Sequence, residues 1–275
     1  MNAMLEYSEI DSPIHRLSGA SKLLALILWA IASMVTYNTF VLGFMFIFSI
    51  VVFKISKIEF KKISFIVYLI LIFLLINNIA IFIFSPMEGV KIYDSRTDLF
   101  TITGPYTVTL EQLFYQLNVT LKYFSIIPIA LLFIIATNPS EFAASLNKIG
   151  ISYRAAYSVS IALRYIPDIQ RDYEEISFAQ QSRGIDMSKK EKLSRRIKNS
   201  FSIIMPLIFS SLDKIETIST AMELRGFGSK KNRTWYSERK FKVSDYITVI
   251  IMVVILAISI GANIKNGGRF YNPFI

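Results

Sequence analysis

The feature that most restricts the fold of this chain is a set of long apolar runs. The clearest of them, Ile63–Phe84, is interrupted only by Asn77 and Asn78. The hydrocarbon core of a bilayer, ~30 Å thick, is crossed by about 20 apolar residues in a helix. Hydrophobic residues make up 53% of the chain, and they are concentrated in such runs instead of being spread at the spacing of a soluble core. The sequence therefore excludes a purely soluble protein.

The apolar runs predict an all-α, polytopic membrane protein with about five transmembrane helices. The predicted spans are Leu23–Tyr37, Phe40–Phe53, Ile63–Phe84, Phe114–Thr137 and Tyr246–Ile264. The fourth span carries Lys122 and an internal proline, Pro128, which predicts a kink. The first span is followed at once by the second, so we interpret it as an integral helix and not as a cleavable signal peptide. The segment 85–112 is expected to be an external loop.

The basic residues predict the orientation of these spans, because cytoplasmic loops carry an excess of Lys and Arg. Of the 30 basic residues, 23 fall in the Lys54–Lys62 link or between the last two spans, which accounts for most of the net charge of +10. The N-terminus, this link and 138–245 are thus expected in the cytoplasm, and the C-terminus outside. Three domains follow: 1–137 with four spans, a cytoplasmic coupling-helix region at 138–245, and 246–275 with the last span.

The reactive side chains leave few routes to catalysis. The chain has no cysteine and one histidine, His15, which excludes disulfides, thiolate metal sites and most histidine-based chemistry. The glycine-rich stretch Gly226–Lys230 lacks the spacing of a phosphate-binding loop. We therefore predict a subunit that is not an enzyme and that binds no metal or cofactor directly.

The region 138–245 is predicted to form amphipathic helices. Asn138 suits an N-cap, Pro139 suits the first turn, and Glu141 stands three residues past the cap. This first helix should end at about Lys148, before Gly150.

Two further helices are predicted from Pro167 to Arg183 and from Pro206 to Arg225, each ending at a glycine. The charged spacer Met187–Asn199 between them is predicted to be a solvated or lipid-facing connection.

These two helices end in the same pattern, E-x-I-S-x-A-x-x-x-R-G, at Glu174–Gly184 and at Glu216–Gly226. The duplication suggests two copies of one docking site, which a single membrane subunit would need to meet a pseudo-twofold partner such as a pair of ABC-type ATPases. Arg183 and Arg225 would each lie at a helix C-terminus, where the charge complements the helix dipole and the guanidinium can fork onto a carboxylate. A simpler interpretation is that each Arg-Gly pair only caps its helix.

The motifs resemble the T component of energy-coupling factor transporters, the family that includes the cobalt-transport protein CbiQ. The matching stretches are Ile14–Leu17, Lys22–Leu24, Thr137–Phe142, Ala162–Pro167, Ala179–Gly184 and Ala221–Gly228. Family members usually read Ala-Arg-Gly at both signature motifs, whereas Ser182 and Leu224 replace the alanine here.

The resemblance implies that the chain is the transmembrane scaffold of an importer. The residues implied to dock the ATPases are Ser182, Arg183, Gly184, Leu224, Arg225 and Gly226. The residues implied to support the coupling helices are Pro139, Glu141, Arg164, Pro167, Ala179, Pro206 and Ala221. Two partner ATPases would bind ATP and Mg²⁺, and one membrane-embedded substrate-binding protein, the S component, would select a vitamin, a vitamin precursor or a metal ion. The lipid bilayer is the other expected partner, and nucleic acid is not expected.

Two other functions fit parts of the pattern. A conventional ABC permease forms a pore from two similar subunits, and it would normally carry one coupling segment per chain instead of two. A lipid-modifying membrane enzyme would need His, Asp or Glu side chains that face one site, whereas the acidic residues here are scattered beside Lys and Arg.

Overall fold

The computed structural model of the chain describes residues 10–103, 106–185, 192–229, 234–236 and 238–274. The chain folds as two compact units. The first unit comprises Met1–Glu141 and Arg239–Ile275, and the second comprises Phe142–Glu238.

The described residues form mostly helices, which confirms the predicted helical fold class. In chain order the elements are α1 (Gly19–Val35), α2 (Thr39–Ile55), α3 (Phe60–Phe84), α4 (Glu88–Tyr93), β1 (Asp98–Thr103), β2 (Tyr106–Thr109), α5 (Leu110–Ala136), α6 (Pro139–Lys148), α7 (Tyr153–Ser182), α8 (Leu193–Leu224) and α9 (Val243–Lys265). Helices α7 and α8 belong to the second unit, and α6 begins in the first unit and ends in the second.

Three of the described helices are long and apolar enough to cross a membrane: the Ile63–Phe84 part of α3, α5 and α9. Helices α1 and α2 are apolar but have only 17 residues each, at the short end of the range for spanning helices, about 17–25 residues. The chain is therefore a multi-pass membrane protein, and the count of five spans stays a prediction.

The segment 85–112 contains more structure than the expected loop. It holds α4 and an antiparallel hairpin in which Thr101 of β1 pairs with Thr107 of β2. The buried carboxylate of Glu111, in the first turn of α5, accepts hydrogen bonds from the Thr97 backbone N–H at 3.0 Å and the Ser95 hydroxyl at 3.1 Å. Hydropathy does not reveal such an anchor, because it depends on one polar side chain.

The core of the first unit lies among α1, α2, α5 and α9. Trp29 and Met45 are fully buried, and Met252 packs with them. The Trp29 indole N–H donates to the Ser125 carbonyl at 3.0 Å. This carbonyl lies one turn before Pro128, where the helix lacks a backbone donor, so the indole adds a polar contact in that weakened turn.

Helices α7 and α8 of the second unit form an antiparallel pair. Near the end of α7, Gln180 donates to the carbonyl of Ser202, close to the start of α8, at 3.2 Å. At the start of α7, Arg154 donates to the carbonyl of Gly228, just beyond the end of α8, at 3.1 Å.

The predicted starts of these two helices at Pro167 and Pro206 are wrong, because both prolines lie inside continuous helices. Helix α7 begins fourteen residues before Pro167, where the Ser152 side chain caps it by accepting from the Ala155 N–H. An interior proline costs about 3 kcal/mol through its missing N–H and its clash with the preceding turn. Both helices nevertheless continue through their prolines, so the local signal of a proline does not mark a helix start here.

The predicted connection at Met187–Asn199 is also partly wrong. Its last seven residues are helical and form the beginning of α8. The first five residues, 187–191, lie outside the described residues.

Candidate functional site

The two repeated motifs end their helices with the same backbone geometry. Arg183 is the C-cap of α7 with φ −88° and ψ 9°, and Arg225 is the C-cap of α8 with φ −84° and ψ 8°. Gly184 and Gly226 follow in the left-handed region, with φ 88° and 65°. The prediction that both helices end at these glycines is confirmed.

Each end forms a complete Schellman motif, in which two backbone N–H groups satisfy the last free carbonyls of the helix. After α7, the N–H of Ile185 donates to Gln180 at 3.1 Å and that of Gly184 to Gln181 at 2.9 Å. After α8, the matching bonds run from Phe227 to Met222 at 2.9 Å and from Gly226 to Glu223 at 2.8 Å. The backbone therefore closes both helix ends, and the arginine side chains are not required for this capping.

The side chains of both motifs lie at the surface. Arg183 and Arg225 are exposed, and so is the whole set of six residues predicted to dock a partner except Gly226, which is half-buried. The two positions that replace the usual alanine differ in chemistry. The Ser182 hydroxyl donates to the Phe178 carbonyl of its own helix at 3.0 Å, whereas the Leu224 side chain is 85% exposed.

An ion pair between Asp172 and Lys214 marks the centre of the repeat. Asp172 lies eleven residues before Arg183, and Lys214 lies eleven residues before Arg225. In two antiparallel helices related by a twofold axis, equivalent residues face each other only where that axis passes. The pseudo-twofold axis of the α7–α8 pair therefore runs through this ion pair. The hydrogen bond that Lys214 donates to Asp172 raises the pKa of Lys214.

This position of the axis fixes the spacing of the two arginines. Each lies eleven residues from the axis, and the two helices run in opposite directions. At 1.5 Å per residue, Arg183 and Arg225 are separated by about 33 Å along the helices. The structure thus presents two equivalent helix ends at opposite ends of one pair.

The two ends are not identical beyond the glycine. The Phe227 ring makes tilted contacts with Tyr153 and Tyr157 of α7, at centroid distances of 5.9 and 4.8 Å. The Trp235 ring contacts the same two tyrosines at 5.3 and 6.1 Å. Ile185 occupies the equivalent position after α7. The second end therefore has an aromatic anchor on the start of the partner helix.

The residues predicted to support the coupling helices lie in three places. Pro139 is the first residue of α6, and the Asn138 side chain accepts from the Ser140 N–H at 2.9 Å as the predicted cap. The members within α7 and α8 are all exposed at the surface: Arg164, Pro167, Ala179, Pro206 and Ala221. Glu141 is instead 4% exposed, in the first unit.

Glu141 belongs to a buried polar junction at the start of α1, which also contains Asp245 of α9. Its carboxylate accepts from the Gly19 N–H at 2.7 Å and lies 3.5 Å from the Arg239 guanidinium. Asp245 accepts from the Ser18 N–H at 2.8 Å and from the Ser21 hydroxyl at 2.6 Å. Two carboxylates therefore satisfy N–H groups at the start of α1, where the helix dipole favours negative charge.

Two cations complete the polar junction. Lys22 donates to the Ala136 carbonyl at 2.7 Å, and Arg239 donates to the His15 carbonyl at 2.9 Å. Burial, with a smaller contribution from the charge of Lys22, lowers the pKa of the His15 imidazole. The chain leaves the first unit after Glu141 and re-enters it at Arg239, so the junction fixes both of these points to the start of α1.

Sequence reasoning did not predict Asp172, Lys214, Asp245 or Arg239 as site residues. Two signals were present. If the repeat pattern is extended by two residues toward the N-terminus, it pairs Asp172 with Lys214. Asp245 is an acidic residue at the start of the last apolar run. Neither signal states which residues meet in space.

Comparison with known proteins agrees with these features. The family model for the cobalt transport protein CbiQ matches residues 11–236. Similar proteins include the energy-coupling factor transporter transmembrane protein EcfT of Staphylococcus aureus, which is 24% identical over 270 residues, covering 92% of this chain and 93% of the relative. The EcfT proteins of Brevibacillus brevis and Lactococcus lactis are 27% and 25% identical, covering 93% and 92% of this chain and 96% of each relative. Because the family model covers most of the chain, this protein belongs to the CbiQ family of membrane transport proteins.

Proposed function

We propose that this chain is the T component of an energy-coupling factor importer, the scaffold between two cytoplasmic ATPases and a membrane-embedded S component. The observation that carries the proposal is the pair of equivalent Arg-Gly helix ends, about 33 Å apart along one antiparallel helix pair. A partner made of two similar halves requires two equivalent contacts from a single chain. The names of the EcfT relatives support the same assignment.

In this proposal Arg183 and Arg225 each insert a guanidinium into a groove of one ATPase. A guanidinium binds carboxylates through two parallel hydrogen bonds, so its geometry suits a fixed docking contact. ATP and Mg²⁺ are bound by the ATPases, and the transported vitamin, vitamin precursor or metal ion is selected by the S component. The T component transmits movement of the ATPase pair through α7 and α8.

The proposal requires α7 and α8 to lie on the cytoplasmic side. The distribution of Lys and Arg supports this orientation, with the N-terminus inside and the C-terminus outside. It also agrees with the exposed position of both arginines at the surface of the second unit.

The proposal is tested by reversing both charges in the double variant Arg183→Glu/Arg225→Glu. We expect loss of ATPase co-purification and loss of substrate uptake, while each single variant weakens both. The control is Lys192→Glu/Lys198→Glu, which makes the same change in charge at two exposed positions of the second unit. ATPase binding that survives in the double variant, or that is lost equally in the control, would contradict the docking role.

A further inference from the structure

A groove in the first unit lies between α2, α3 and α5 and has no role in the proposed function. Its cavity measures about 470 Å³. Its walls include Phe46 and Ile50 from α2, Val67 and Ile70 from α3, and Ile127 from α5. This volume is typical of small-ligand sites, about 300–1,000 Å³.

The groove is apolar along its walls and basic at one end. Lys54, in the last turn of α2, is the only charged side chain among the described residues that line it. Lys54 forms no ion pair within the described part of the chain. The short link to α3 adds Lys57, Lys61 and Lys62 against the single acid Glu59.

A tight turn follows Lys54 directly after α2. Lys57 has a left-handed backbone with φ 59°, and it forms part of the tight turn after α2. Helix α3 starts only three residues later, so its basic first turn is close in sequence to Lys54. Ile58 and Ile63, which flank this turn, are buried and line the cavity.

The shape and charge of the groove select one class of occupant. All of the described side chains that line the cavity are apolar except Lys54, so the cavity suits an apolar occupant with a negative group at one end. An acyl chain is narrow and apolar, and each CH₂ group that it buries contributes ~0.8 kcal/mol. Basic pockets between membrane helices bind anionic lipid head groups.

We infer that this groove binds one anionic phospholipid, with an acyl chain between α3 and α5 and the phosphate at Lys54. The lipid fills the space between α3 and its neighbours and neutralises charge at the end of α2. The ligand is a bilayer phospholipid such as phosphatidylglycerol.

Native mass spectrometry of the full chain in detergent, with equal phosphatidylglycerol and phosphatidylethanolamine added, tests the head-group contact. We expect Lys54→Gln to reduce phosphatidylglycerol affinity about fivefold, which corresponds to ~1 kcal/mol for one basic residue near the head group. Retention of phosphatidylethanolamine, which has the same phosphate but no net charge, should fall less, and its persistence also reports that the variant is folded. The control Lys265→Gln makes the same charge change at the end of α9, away from the groove.

A second variant tests the acyl-chain position. Ile70→Trp fills the groove and should reduce retention of both lipids, whereas Ile79→Trp, at an exposed position of α3 that does not line the cavity, should leave retention within twofold of wild type.

Three results would overturn the inference. The first is an equal loss of phosphatidylglycerol in the two lysine variants, which would indicate general charge attraction. The second is unchanged retention in Ile70→Trp. The third is a photo-crosslinker at position 70 that labels a protein instead of lipid in native membranes, which would identify the groove as a protein contact.

Discussion

Gly89 shows how closely the first unit is packed on the side of α4. A Cβ atom placed on this residue would lie 2.4 Å from the Glu111 carbonyl oxygen and 2.6 Å from the Gln112 Cα. The Gly89 N–H also donates to the Gln112 side chain at 2.8 Å. Helix α4 therefore contacts the first turn of α5 through backbone atoms, which have little freedom to move aside.

We predict that Gly89→Ala destabilises the protein, because the added methyl group must displace backbone. Overpacking of this kind costs about 1–3 kcal/mol, which should lower the Tm by several degrees in a thermal melt in detergent. Gly43→Ala is the control, since no atom lies within 4 Å of its Cβ position and alanine favours a helix. A Tm of Gly89→Ala equal to that of the Gly43→Ala variant would contradict the close contact.

At the scale of elements, the ends of α7 and α8 could be predicted from the sequence and their beginnings could not. Gly184 and Gly226 mark helix ends because a left-handed residue after the last turn is a local requirement that glycine meets. Pro167 and Pro206 are also strong local signals, but both lie inside continuous helices, so proline alone does not define where a helix begins. The repeat predicts two equivalent ends, and only the fold shows that they point in opposite directions.

The ion pair at the centre of α7 and α8 leads to a prediction about these elements. Asp172→Lys and Lys214→Asp each place two like charges at the meeting point, so each should lower the Tm and reduce uptake. The exchange Asp172→Lys/Lys214→Asp restores opposite charges and should recover both properties. The coupling energy from the double-mutant cycle should be about 0.5–1 kcal/mol, because the pair is partly exposed.

The control for this exchange is an ion pair outside α7 and α8. Arg96 and Asp98 are ion-paired two residues apart at the start of β1, so exchanging them leaves the contact between α7 and α8 unchanged. If the Asp172→Lys/Lys214→Asp exchange recovered neither Tm nor uptake, or if the single changes at 172 and 214 were additive, the central pair would not hold the helices together.

At the scale of the molecule, the two points where the chain leaves and re-enters the first unit meet at the start of α1. The sequence predicts Glu141 as a helix-start residue, which the fold confirms. It does not predict that this carboxylate also binds the N-terminus of α1 beside Asp245, more than 100 residues away in sequence. Buried polar groups need partners, but sequence patterns leave open which of the distant groups supplies them.

The absence of cysteine from the whole chain permits a direct measurement of the spacing on which the proposed function depends. Spin labels at Ser182→Cys and Leu224→Cys, the last residues of α7 and α8, leave both arginines in place. Each position lies ten residues from the pseudo-twofold axis, so we predict a label separation of about 30 Å along the helices by pulsed electron spin resonance.

Labels at Glu175→Cys and Thr217→Cys provide the matched control, because these exposed positions lie only three residues from the axis. Because helix axes pack ~8–10 Å apart, the two labels should be separated by about 13 Å. A distance this short broadens the continuous-wave spectrum. If both pairs gave similar distances, the two helix ends would not point in opposite directions. The chain could then not present two equivalent arginines to separate halves of a partner, even if each arginine were exposed.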